Sequence, residues 1–144
     1  MTAIGLRKFS NPNTTEFWTP ERCHVLELMN IPELGDLSIA RIRVEPGVTT
    51  ELHALAGTGE IYVLLSGTGE MDDGAAAPFA VSAGDCVTIP ADHRQRIKNS
   101  GSEDLVFLAV CTPRFVPANY QALDDLGAIA SSGPATPRED DNAD

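Results

Sequence analysis

A chain of 144 residues with 42% apolar and 22% charged residues has the size and composition of one globular domain and is too short for two comfortable ones. A formal net charge of −11 disfavours nucleic acid and anionic lipid as partners, because phosphate binding rests on excess Lys and Arg. No apolar run approaches the roughly 18 residues that cross a bilayer, and the opening MTAIGLRKFSNPNTTEF has no signal-peptide core, so the expected location is the cytoplasm.

Residues 1–22 read as a loosely structured arm with room for one edge strand. From there to about residue 112 the chain is a succession of short apolar or alternating runs broken by Gly, Pro, Asn and Asp. No helical period competes, and the pattern predicts an all-β domain, a sandwich or a barrel. The predicted strands are CHVLEL (23–28), SIARIRV (38–44), TELHAL (50–55) and EIYVLLS (60–66), followed by GEMDD (69–73), FAVS (79–82), CVTIP (86–90), RQRIK (94–98) and LVFLAVC (105–111). Turns fall at Pro46-Gly47, Gly67-Thr68-Gly69, Asp73-Gly74, Ala83-Gly84-Asp85 and Asn99-Ser100-Gly101. After Pro113, PANYQALDDL (117–126) predicts one short helix with Pro117 near its start and Gly127 beyond its end. Residues 23–127 therefore make the domain proper, and the Pro-, Ser- and acid-containing stretch 128–144 predicts a disordered tail. Cys23, Cys86 and Cys111 are odd in number, widely spaced and set in apolar runs, which argues for small buried hydrophobes rather than disulfides or a zinc site.

Two stretches carry regular spacings. The first reads Gly47, five residues, His53, one residue, Leu55, four residues, Glu60, six residues, Gly67. The second reads Gly84, five residues, Pro90, one residue, Asp92, two residues, Gln95, three residues, Asn99. Side chains alternate faces along a strand, which groups His53 with Leu55, Glu60 with Tyr62 and Leu64, and His93 with Gln95 and Ile97, and sends Arg94, Arg96 and Lys98 the other way.

These paired stretches resemble the two signatures of the cupin superfamily, in which three histidines and a glutamate hold a divalent metal inside a small jelly-roll β-barrel. His53 and Glu60 stand unchanged, while Leu55 replaces the second histidine, Gln95 the third, and Asp92 a glycine. The chain is similar to small single-domain bacterial cupins described as sugar-phosphate isomerase-like, with His, Glu and Gln at these positions. The resemblance implies a cupin jelly-roll barrel, a homodimer with crossed N-terminal arms, and a pocket into which positions 53, 60 and 95 point.

Inside an apolar barrel Glu60 and Gln95 are costly unless paired, hydrogen-bonded or coordinated, and three readings stay open. In the first, His53, Glu60 and Gln95 hold Mn, Fe, Ni or Zn with open positions, a harder and weaker site than three imidazoles. In the second, no metal is present: His53 and Glu60 form a hydrogen-bonded acid–base pair and Gln95 orients the substrate. In the third the trio is a satisfied polar plug. Glu60, Tyr62 and His93 are the candidate catalytic groups. Tyr62 and the pair Arg41 and Arg43 are candidate substrate contacts, the arginines for a carboxylate or phosphate at the pocket mouth. The bland alternatives are a wall tyrosine, a solvated rim histidine and an exposed basic face; His24 reads as part of a core strand. The expected function is non-redox proton transfer of isomerase, lyase or cyclase type on a polar, hydroxylated or carboxylated metabolite. The alternatives are a metal-dependent dioxygenase and a non-catalytic small-ligand-binding cupin.

Overall fold

Alternation of buried and exposed side chains builds most of this chain. In β5 (Gly59–Ser66) the residues Glu60, Tyr62 and Leu64 are buried while Ile61 and Leu65 are exposed. In β10 (Leu105–Thr112) the buried set is Leu105, Phe107, Ala109 and Cys111. Such period-two patterns suit strands with one face in a core. The computed structural model describes residues 5–10 and 15–124, which hold eleven strands and one 3-10 turn. The expected disordered tail lies outside them.

The other strands are β1 (Phe17–Thr19), β2 (Cys23–Met29), β3 (Ser38–Val44), β4 (His53–Leu55), β6 (Thr68–Asp72), β7 (Phe79–Ser82), β8 (Cys86–Ile89), β9 (Arg96–Asn99) and β11 (Tyr120–Ala122). One layer is a six-stranded sheet in the order β1-β2-β3-β10-β5-β8. The second layer joins the sheet β7-β6-β9 to the pair β11-β4. The isolated bridges His53↔Gln95 and Thr49↔Lys98 stitch these two pieces together, and every strand pairing is antiparallel. This is the expected all-β jelly roll. Phe107, Leu64, Ile97, Leu105 and Val44 fill its centre, each burial worth about 1.5–3 kcal/mol.

The turn residues of the two spaced stretches have mechanical roles. Gly67 sits at φ +89, and a Cβ there would lie 2.7 Å from the Asp104 carbonyl oxygen. Asp92, in the glycine position, adopts φ 69, and its Oδ1 accepts the Gly57 N–H at 3.0 Å. Asp is among the few side chains that tolerate this left-handed region. Asn99 is fully buried; its Nδ2 donates to the carbonyls of Val44 and Glu103, and its Oδ1 accepts from Gly101 N–H.

Three expectations change. The strand over 50–55 shortens to His53–Leu55, and the one over 94–98 becomes Arg96–Asn99, with Gln95 in the isolated bridge instead. Residues 117–122 are not α-helical: Pro117–Asn119 make a single 3-10 turn and Tyr120–Ala122 pair with β4, Tyr120 opposite Leu55. Asn and Tyr are weak helix formers, and the backbone edge of β4 offers their segment a ladder to complete. No helix of the described residues is long and apolar enough to cross a membrane.

Candidate functional site

A cavity with about 180 Å³ of free space opens between the two layers. Its deep end is lined by buried His53, Glu60, Tyr62 and Cys111, its walls by Ala40, Ile42, Phe107 and Tyr120, and its outer end by exposed Phe17 and Glu27.

His53 is held from several directions. Its backbone N–H donates to Gln95 O at 3.0 Å and its carbonyl accepts Gln95 N–H at 2.8 Å, so the bridge within the second layer sets the position of both residues. Its Nδ1 lies 2.8 Å from the Glu51 carbonyl oxygen. A carbonyl only accepts, so Nδ1 carries the proton and Nε2 keeps its lone pair. The ring stacks on Tyr120 with centroids 4.9 Å apart and planes 16° from parallel. Tyr120 in turn donates its hydroxyl to Glu51 Oε1 at 2.6 Å, and the Glu51 N–H donates to Glu21 O. Burial pulls the imidazole below its ordinary range, with the Glu60 charge opposing.

Glu60 enters from β5. Gln95 Nε2 donates to its Oε1 at 2.7 Å, and the Cys111 thiol lies 3.7 Å from Oε2. Burial raises the carboxyl above the usual range, more than His53 and the Gln95 hydrogen bond lower it. Burial also lifts the Tyr62 phenol well above its usual range, and the Cys23 thiol goes to about 12. His53 and Glu60 thus face one cavity with both driven toward their neutral forms. The hydrogen bonds of the described residues do not join them directly: the Glu51 carbonyl takes one and Gln95 the other.

The cupin metal set does not fit these residues. Leu55 has no donor, and Gln95 presents Nε2, not Oε1, to Glu60. Gln95 Oε1 is buried without a partner at the other end of the amide. Among the described residues no group of three His, Cys, Asp or Glu is placed to hold a metal ion.

Four further residues that the sequence singled out lie outside the cavity. Arg41 and Arg43 sit on the opposite face of β3 from cavity-lining Ala40 and Ile42. Arg43 pairs with Glu16 at 2.9 Å and with Asp104 at 3.2 Å, and Arg41 approaches Glu16 at 3.5 Å. Strand parity sends them outward, where acidic partners hold them. His93 is exposed and lies 3.3 Å from Asp73; its N–H closes a turn onto the Pro90 carbonyl and it lies outside any strand, so alternation does not carry from Gln95 back to it. His24 pairs with Glu45 at 2.8 Å away from the cavity. Tyr62 does line the cavity, packed on Phe107 with ring centroids 4.3 Å apart. Sequence reasoning missed Glu51, Tyr120 and Cys111. The period-two signal could have found Glu51 beside His53 and Cys111 beside Phe107; Tyr120 was hidden by the helix reading.

The sequence profile of the cupin domain matches residues 40–111, half of the chain. The chain belongs to the cupin family. An oxalate-binding protein of Thermotoga maritima is 39% identical over 72 residues, 49% of this chain and 58% of that protein. Oxalate decarboxylase OxdC of Bacillus subtilis is 31% identical over 93 residues, 62% of this cupin and 24% of the relative. This cupin thus spans less than two thirds of either curated relative. Among solved structures it is similar to a predicted oxalate decarboxylase of Thermotoga maritima, with a TM-score of 0.66 at 24% identity over 74% of this chain and 99% of that one. It is also similar to Pac13, a nucleoside dehydratase of Streptomyces, with a TM-score of 0.68 at 15% identity over 83% of this chain and 92% of that one. At these identities the likeness is one of fold.

Proposed function

We propose that this cupin is a small-molecule enzyme that moves protons without a resident metal, performing non-redox lyase or isomerase chemistry on a polar metabolite inside the barrel. The observation that carries the reading is the pair His53 and Glu60: both line one cavity, and burial favours the neutral imidazole and the neutral acid. Two titratable groups in complementary proton states assign themselves to base and acid. In an elimination, His53 Nε2 takes a proton from carbon, the C–H electron pair forms the new double bond, and the Glu60 proton leaves with the departing hydroxyl as water. One proton returned from imidazolium to carboxylate restores both groups. Tyr62 supplies a neutral phenol in the wall, and Gln95 holds Glu60 in place rather than binding substrate. Decarboxylase and dehydratase, the names borne by two of the relatives, are both lyase names.

The test is deuterium labelling of a metabolite extract in heavy water, read by mass spectrometry, with His53→Gln and Glu60→Gln alongside metal analysis of protein purified without chelator. Label or water loss that requires both side chains in metal-free protein supports the reading. Near-stoichiometric Mn, Fe, Ni or Zn that disappears in Glu60→Ala would overturn it in favour of a metal on His53, Glu60 and Gln95.

A further inference from the structure

Tyr62 is buried and lines the cavity, yet among the described residues its hydroxyl has no hydrogen-bond partner. A buried tyrosine usually finds one, because a polar group held away from water without a partner costs free energy. The ring is held by packing on Phe107, with centroids 4.3 Å apart, so the place of the O–H is set without any polar contact. Glu60 stands two residues earlier on β5, and strand alternation turns both side chains into the same space. His53 faces that space as well, and its Nε2 keeps a lone pair because Nδ1 donates to the Glu51 carbonyl. The deep end therefore offers a ligand one phenolic donor beside one imidazole acceptor.

The lining offers an ion no counter-charge. Among the described residues no Lys or Arg lines the cavity, Glu27 accepts from Asn30 Nδ2 at 3.1 Å, and Glu21 is likewise engaged. An ionised group moved there loses its hydration with no opposite charge to replace it. Much of the remaining wall is apolar, with Phe17 and Phe115 toward the outside and Val25, Ile42 and Phe107 further in.

We propose that the cavity takes an uncharged carbonyl compound with an apolar body, its carbonyl oxygen accepting the Tyr62 hydroxyl. This rests on the reading of the barrel as a proton-transfer site and names the class of its substrate. An isolated C–H bond is too weak an acid for an imidazole. A C–H beside a carbonyl is within its reach, because the electron pair left behind spreads onto the carbonyl oxygen, where a fixed O–H donor meets the developing charge. The elimination then runs on a β-hydroxy carbonyl compound. The α-proton goes to His53 Nε2 and the C–H electron pair moves toward the carbonyl oxygen, held by the Tyr62 hydroxyl. The pair returns to form the carbon–carbon double bond as the β-hydroxyl leaves with the Glu60 proton as water. Tyr62 keeps its own proton throughout, so one return of a proton from imidazolium to Glu60 resets the site.

The experiment titrates the full chain, wild type and Tyr62→Phe, with three probes of one shape, followed by NMR. They are acetophenone, α-methylstyrene, in which a CH2 replaces the carbonyl oxygen, and benzoate, in which a carboxylate replaces the ketone. Comparing the ratio of the first two affinities between wild type and variant cancels their different hydration. Tyr62→Phe is expected to lower acetophenone affinity relative to α-methylstyrene by about tenfold, and benzoate is expected to bind more weakly than acetophenone to both proteins. The infrared carbonyl stretch of acetophenone bound to wild type should lie below its value in hexane and return toward that value in the variant. The wild-type stretch reads the hydrogen bond by itself if Tyr62→Phe fails to fold. Exchange of the acetophenone methyl protons in heavy water should require His53 and slow in Tyr62→Phe. An unchanged affinity ratio, a wild-type stretch at the hexane value, or benzoate binding as tightly as the ketone overturns the carbonyl assignment while the barrel stands as a ligand site. A shifted stretch and a lowered ratio without His53-dependent exchange support the carbonyl assignment and overturn the proton-transfer reading. Silence from all three probes overturns both.

Discussion

Replacing Tyr120 by Phe removes one oxygen and keeps the ring that stacks on His53. The lost group is the hydroxyl that donates to Glu51 Oε1 at 2.6 Å, and Glu51 is buried. Removing the donor leaves the buried Glu51 oxygen without this partner, which costs about 1–3 kcal/mol because water cannot readily replace the hydroxyl. The expected loss of stability is therefore about 1–3 kcal/mol, or about 3–9 °C in Tm at roughly 3 °C per kcal/mol for a domain of this size. Urea denaturation followed by circular dichroism measures the first quantity, and a double-mutant cycle with Glu51→Gln isolates the pair. The substitution also loosens the segment whose carbonyl fixes the His53 tautomer. Ring nitrogen shifts should therefore move from a single Nδ1–H form toward a mixture, whereas Tyr120→Leu, which also removes the stack, should do so further. A Tyr120→Phe variant within about 0.5 kcal/mol of wild type, with an unchanged His53 signature, would refute the claim that this network positions the imidazole.

The remaining expectations concern the turns and the buried acid. Asn99→Ala strips two carbonyls and one N–H of their partner in the interior and should cost about 3 kcal/mol or more by denaturation; less than about 1 kcal/mol would mean that water replaces the amide. Gly67→Ala meets both a left-handed φ and the Asp104 carbonyl at 2.7 Å, so a loss above about 2 kcal/mol is expected in thermal melts, whereas Asp92→Gly should stay within about 1 kcal/mol of wild type. For pH, the Glu60 carboxyl is raised above 4.5 in the fold, so its contribution to stability is fully present below that value and is lost as pH rises through the folded pKa. Glu60→Gln carries no such loss, and its stability relative to wild type should increase from pH 4.5 upward; a pH-independent difference would show that burial does not govern Glu60.

What the chain determined by itself was whatever depends on neighbouring residues. Alternation in GEIYVLLS and LVFLAVCT sets which side chains share a face, and those inner positions form the core. The turns at Gly67 and Gly84 were legible because a left-handed φ admits few residue types. Gln95 meets His53 through the backbone and Glu60 through its amide, a proximity that came from the cupin resemblance and not from spacing alone. Tertiary structure decided the rest, because strand parity assigns a face without saying what lies across from it. Gln95 meets Glu60 through its amide because β5 brings that carboxyl group across from it. Arg41 and Arg43 are held on the outer face of β3 by Glu16 and Asp104, partners that alternation along the strand does not reveal. Tyr120 leaves the helical course its neighbours favour because β4 offers an open edge, and only that pairing lays its ring on His53. The lining of the cavity is likewise assembled from β2, β3, β5 and β10, segments far apart in sequence, which face one space only once the fold has closed.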